Sequence, residues 1–162
     1  MMYPESFEIS AVGDREIRVT RLFNAPRALV FEAFTKPEVV RRWLLGPAGW
    51  TMPICEIDLK VGGAYRYVWR HEGNGSEIGL SGVFKEIVRP ERLVATEKTT
   101  WHAEEAIDTT MFAEEGSLTR MTLVVLFETT EARDAARRSG MEHGMAASYD
   151  RAEELLGALV TG

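Results

Sequence analysis

The sequence predicts an α+β domain: a curved antiparallel β-sheet wrapped around one long C-terminal helix, with two short helices after the first strand. Three observations predict it. Two proline-marked boundaries, Ala25-Pro26 and Lys36-Pro37, each precede a short apolar pattern of helical spacing. From residue 51 to 128, alternating apolar and polar residues are broken at regular intervals by turn-forming residues, the mark of an antiparallel meander. After Thr129-Thr130 the apolar period switches to the helical value and holds to Leu159.

The elements follow in order. Ile17, Val19 and Arg21 alternate with Arg18, Thr20 and Leu22 up to Phe23, which reads as a strand. Asn24 is placed to cap a helix and Pro26 suits its first turn. Val30, Phe31 and Phe34 then recur at helical spacing. A second short helix restarts at Lys36-Pro37, carries Val39, Val40 and Trp43, and stops at Gly46-Pro47. Cys55, Ile57 and Leu59 share one strand face and Glu56 and Asp58 the other. Gly62-Gly63 and Gly73-Asn74-Gly75 mark turns, and strands follow at about 77–88, 92–100, 105–113 and 118–128. In the last segment Gly140 interrupts the helix. Met141, Met145, Ser148, Tyr149, Ala152, Leu155, Leu156 and Leu159 then form one stripe, and the sheet is the surface available to cover it.

Composition narrows the function. The chain has 162 residues, 45% hydrophobic and 27% charged. A single domain spanning 1–162 can bury roughly 70% of its unfolded surface, enough for a core with a cavity in it. Residues 1–7 read as a flexible N-terminus. The net charge of −6 and the lack of any long basic run speak against a nucleic-acid partner. No apolar stretch approaches the ~20 residues of a membrane span, and the start of the chain lacks the pattern of a secretory signal. Cys55 is the one cysteine, so neither an internal disulfide nor a cysteine metal site is expected, and a reducing cytoplasm fits.

Candidate site residues are mostly apolar. Tyr65, Tyr67 and Trp69 make an aromatic stripe on one strand face, suited to the wall of a ligand cavity or to plain core packing. Trp101, Met111 and Met121 are candidates to extend it. Met141, Met145 and Tyr149 face inward on the long helix, where methionine adapts to irregular shapes. Trp43 and Trp50 bracket a Gly-Pro loop that forms either the lip of a cavity or a plug in the end of the sheet. Acid–base candidates are weak. His71, His102 and His143 have no nucleophile at a recognisable spacing, and His102, beside Trp101, is the best placed of them. Glu56 and Asp58 read as a solvent face.

The segments APRALVFEAFTKPEVVRRW, the Gly-Pro after it, MPICEIDLKVGGAYRY and the late SGMEHG resemble the activator of heat-shock-protein ATPase homologue family, within the START-like (SRPBCC) superfamily. The resemblance runs from about Ile17 to Leu159. It implies the helix-grip fold and its strand order. Two positions depart from the family's habit: Leu44 stands where a second aromatic often follows Trp43, and Met145 stands where a tryptophan is frequent.

The expected function is that of a small-molecule binding protein for a hydrophobic or aromatic ligand, held between sheet and helix without cofactor or metal. One alternative is an enzyme like the polyketide cyclases and dehydratases of the wider superfamily, which needs a buried ionisable group such as His102 or Glu97. Another, implied by the family name, is a chaperone-binding module with a role in the stress response. The chain is expected to be a monomer or a homodimer.

Overall fold

The computed structural model describes residues 6–161, with the backbone alone at 102, 103 and 161. Eight strands form one antiparallel sheet: β1 (Glu8–Val12), β2 (Glu16–Phe23), β3 (Trp50–Ile57), β4 (Ala64–His71), β5 (Glu77–Val88), β6 (Arg92–Thr99), β7 (His102–Glu115) and β8 (Leu118–Leu126). Their order is β1-β2-β8-β7-β6-β5-β4-β3. Consecutive strands from β3 to β8 are neighbours, as the regular turn spacing predicts. The exception is β2, which pairs with β8 over Glu16↔Leu126 to Phe23↔Thr119. That pairing leaves β1 and β3 as the two edges.

Two short helices, α1 (Arg27–Thr35) and α2 (Pro37–Trp43), follow β2. Asn24 does not cap α1. The first turn hangs instead on the Pro26 carbonyl, which accepts from the Leu29 and Val30 N–H groups at 3.0 and 3.1 Å. The Asn24 backbone N–H donates to the Glu153 carboxylate at 3.0 Å, so its neighbourhood is tied to the C-terminal helix. The buried Trp43 indole donates to the Ala33 carbonyl at 2.8 Å and fixes α2 against α1.

The C-terminal segment divides into α3 (Thr130–Arg138) and α4 (Met141–Thr161). Gly140, at φ 86°, makes the break; this is left-handed backbone that glycine adopts without strain. The Thr129 hydroxyl caps α3 by accepting from the Ala132 N–H at 3.1 Å. The core between sheet and α4 contains Ile17, Val19 and Phe23 of β2, Phe112 of β7, Met121 of β8, and Tyr149, Ala152 and Leu156 of α4. Burying such side chains contributes about 1.5–3 kcal/mol each. Sheet, covering helix and the inserted pair together give the helix-grip arrangement.

Candidate functional site

The concave face of the sheet and α4 do not meet everywhere. Three adjoining hollows remain between them. The inner one, about 200 Å³, has a floor of Tyr65, Tyr67, Ala95, Asp108 and Leu123 and a roof of Phe34, Trp43 and Tyr149. A side hollow of about 240 Å³ lies under α3, between Ala132 and Ala136 above and Glu97, Ala106 and Val125 below. The third, about 500 Å³, is the mouth. Leu44 to Pro47, Trp50, Trp69 and Trp101 ring it, with Gly140, Met141 and Gly144 on the helical side. Met145 lines all three. Its thioether stands at their junction, and its free torsions let it shift.

The strand period places the aromatic stripe. Tyr65 and Tyr67 ring centres are 5.3 Å apart, and Tyr67 and Trp69 are 5.8 Å apart. The Tyr65 hydroxyl donates to the Thr96 carbonyl at 2.7 Å. Gly82 on β5 makes that approach possible, because a Cβ there would collide with the same carbonyl and with the Tyr65 ring. The Trp69 indole donates to the Leu44 carbonyl at 2.7 Å, which ties the stripe to the loop at the mouth. That loop therefore forms the lip, while Trp43 turns inward to the roof.

The predicted residues separate by position. Trp43, Tyr65, Tyr67, Met145 and Tyr149 border the inner hollow, and Trp69, Trp101, Met141 and Met145 border the mouth. Trp101 is 56% exposed and belongs to the rim. Met111 does not join them. It lies on the opposite face of β7 from Asp108, opposite Arg92 and Thr122, with the Arg92 guanidinium 3.9 Å from its sulfur. The side chain of His102 lies outside the described residues. His71 accepts from the Gly73 N–H at 3.1 Å at a turn, and His143 is exposed; neither lines these hollows.

Sequence reasoning missed Asp108. It sits in β7 opposite Ala95, diagonal to Glu97, which is opposite Ala106. The two side chains are hydrogen-bonded to each other. Burial, then the neighbouring Glu97 charge and this hydrogen bond, hold the Asp108 carboxyl well above the usual aspartate range. Burial foremost, with the Asp108 charge next for Tyr65 and Tyr149, also pushes up the Tyr65, Tyr67 and Tyr149 hydroxyls. A signal was present in the sequence: Ala106, Asp108, Thr110 and Phe112 alternate on one face, and that face must be the buried one if Phe112 is core.

Among the described residues, no three His, Cys, Asp or Glu side chains are grouped to hold a metal ion. Nor is any described helix long and apolar enough to cross a membrane. An aromatic, mostly apolar space with one acid pair in its floor can bind a small molecule and can exchange a proton with it.

Comparisons with known proteins agree with this architecture. The model of the family described as Activator of Hsp90 ATPase homolog 1-like protein matches residues 24–157. A crystal structure from Rhodobacter sphaeroides is similar at 27% identity, over 94% of this chain and 99% of that one, with a TM-score of 0.89. A protein of Nitrosomonas europaea is similar at 23% identity, over 94% and 100%, with a TM-score of 0.80. An AHSA1-like protein from Aeromonas hydrophila, solved by NMR, shares 18% identity over 85% and 93%, with a TM-score of 0.69. The last two likenesses concern the fold. The comparison with curated proteins gives no match.

Proposed function

The chain belongs to the Activator of Hsp90 ATPase homolog 1-like family, and on that premise we propose that it is a small-molecule binding protein whose ligand occupies the hollows between sheet and α4. The observation that supports this most is the junction at Met145: three spaces meet at one flexible side chain, and two of them are walled by the Tyr65–Tyr67–Trp69 stripe. The mouth alone falls within the ~300–1,000 Å³ of ordinary ligand sites. An inner space near 200 Å³ is large enough for an aromatic ring, since a cavity of about 150 Å³ admits benzene. Affinity would come from apolar burial, roughly 25 cal/mol per Å².

The test is a titration of the purified protein with neutral polycyclic aromatics, read by intrinsic tryptophan fluorescence. Saturable quenching that disappears in a folded Met145→Trp variant supports the reading. Absence of saturation across the panel overturns it.

A second reading, a cyclase- or dehydratase-like enzyme, is favoured by one observation: Asp108 places an ionisable group in the lining of the inner hollow, as such chemistry needs. Turnover that is lost in Asp108→Asn while binding survives would support it over the first.

A further inference from the structure

Leu44 and Met145 stand where the inner hollow adjoins the mouth. Among the described residues, they are the two that line both spaces. The Leu44 backbone is pinned there. Its N–H donates to the Val40 carbonyl at 2.9 Å, and its carbonyl accepts from the Trp69 indole at 2.7 Å. The loop beyond it is tied to α4, where the Gly46 N–H donates to the Ser148 hydroxyl at 2.9 Å. With strand, loop and helix joined in this way, the passage between the two spaces is bounded by two aliphatic side chains, and the methionine is the more adaptable of them.

The two spaces lie end to end. On β4, Tyr65 and Tyr67 line the inner hollow, and Trp69, next on the same face, lines the mouth. Their neighbours on β5 step the same way. Leu80, opposite Tyr67, lines the inner hollow, and Ile78, opposite Trp69, lines the mouth. Along α4 the order repeats one turn at a time: Tyr149 at the inner hollow, Met145 at the boundary and Met141 at the mouth. The floor from Tyr65 to Trp69 is about 13 Å long at the rise of a strand. The roof from Tyr149 to Met141 is about 12 Å long at the rise of a helix. Floor and roof thus bound one slot, longer than a single ring and narrowed near its middle.

The inner end is the aromatic one, with Phe34, Trp43, Tyr65, Tyr67 and Tyr149 around it. The mouth adds the aliphatic groups of Leu45, Pro47 and Ile78. The donors of Trp43, Tyr65 and Trp69 already serve the carbonyls of Ala33, Thr96 and Leu44, so these three rings hold a ligand by apolar contact.

We propose that the ligand is an alkyl-substituted arene lying along this slot, with its ring among Tyr65, Tyr67 and Tyr149 and its saturated chain passing between Leu44 and Met145 into the mouth. A methylene chain is the thinnest apolar group and suits the place where two side chains close on the slot. This deepens the binding reading above and rests on it.

Two compounds that differ in chain length alone test it: 4-methylbenzyl alcohol and 4-pentylbenzyl alcohol. Each is titrated calorimetrically into the full chain and into Leu44→Trp, and each is added to the protein carrying methyl-labelled methionines. The pentyl compound is expected to bind at least about thirtyfold more tightly than the methyl compound, against roughly 200-fold for four fully buried methylenes. At one molecule per chain it should shift both Met121, which lines the inner hollow, and Met141, which lines the mouth. Leu44→Trp, which narrows the passage, should remove most of the pentyl compound's advantage. If that variant does not fold, the paired methionine shifts decide alone. Equal affinities, an advantage kept in folded Leu44→Trp, or pentyl-compound shifts at only one of Met121 and Met141 overturn the slot and leave the binding reading standing. Failure of both compounds to bind the unaltered protein overturns both.

Discussion

Arg21 on β2 donates from Nη1 to Asp150 Oδ1 on α4 at 2.8 Å, and so joins the strand next to the β1 edge to the helix that covers the sheet. Arg21 is fully buried, whereas the Asp150 side chain is 44% exposed. The guanidinium also lies 5.5 Å from the Phe23 ring centre. The contact holds the roof of the cavity at a set distance from its floor. Breaking a fully buried pair from one side costs about 3–5 kcal/mol. Solvent at Asp150 screens this one, so Asp150→Ala is expected to cost about 1–3 kcal/mol in urea unfolding. Arg21→Met, which removes the charge but keeps the bulk, is expected to cost less than Asp150→Ala.

Met145→Trp should fill the junction and not disrupt the core. A larger side chain growing into empty space avoids most of the strain of overpacking, so stability should stay within about 1–2 kcal/mol of the original. Binding of neutral aromatic probes should fall by at least about tenfold. Thermal unfolding and fluorescence titration on one sample check both halves.

Gly82 and Tyr65 are coupled through the Thr96 carbonyl. Tyr65→Phe removes a buried hydrogen bond of 2.7 Å and should cost about 0.5–1.5 kcal/mol. Gly82→Ala puts a methyl into that carbonyl and the Tyr65 ring, and should cost at least about 3 kcal/mol. Equal small losses for both variants in urea unfolding would rule out the tight β5–β6 approach.

Stability should fall as pH rises from the mildly acidic range. Asp108 holds its proton more firmly folded than unfolded, because its carboxyl is raised from the ordinary 3.8. Above that value the folded state binds more protons than the unfolded state, so each further pH step favours unfolding until Asp108 ionises in the folded protein too. Glu153, raised from 4.5 by burial, acts with the same sign. Asp108→Asn should flatten its part of the slope in urea midpoints measured across this range. An unchanged profile would contradict the raised Asp108.

Much of the fold is legible in the sequence, because period and punctuation are local. The proline boundaries give α1 and α2, the glycine turns give the meander, and Gly140 marks the break between α3 and α4. β1 is not legible. Ser10 and Ala11 are exposed and Ile9 and Val12 only half-buried, so an edge strand that packs on the core mainly through Ile9 carries almost no alternation. The aromatic stripe is also local, and the strand period sets its facing. Asp108 is different. Its meaning depends on Glu97 lying one diagonal step away on β6, eleven residues earlier in the chain, and register between strands has no local signature. Met111 shows the same limit, since a one-residue offset in β7 decides whether a side chain meets the cavity or the far face.

Internal binding is tested most directly by NMR of methyl-labelled methionines, with naphthylmethanol as the neutral probe. Met121, Met141 and Met145 border the hollows, whereas Met52 packs behind Val40 and beside Cys55 and lines none of them, and Met111 lies across the sheet. Saturable shifts at Met121, Met141 and Met145, with Met52 and Met111 still, are the predicted result. Shifts centred on Met111, or none at saturating probe, would contradict a ligand held between the sheet and α4.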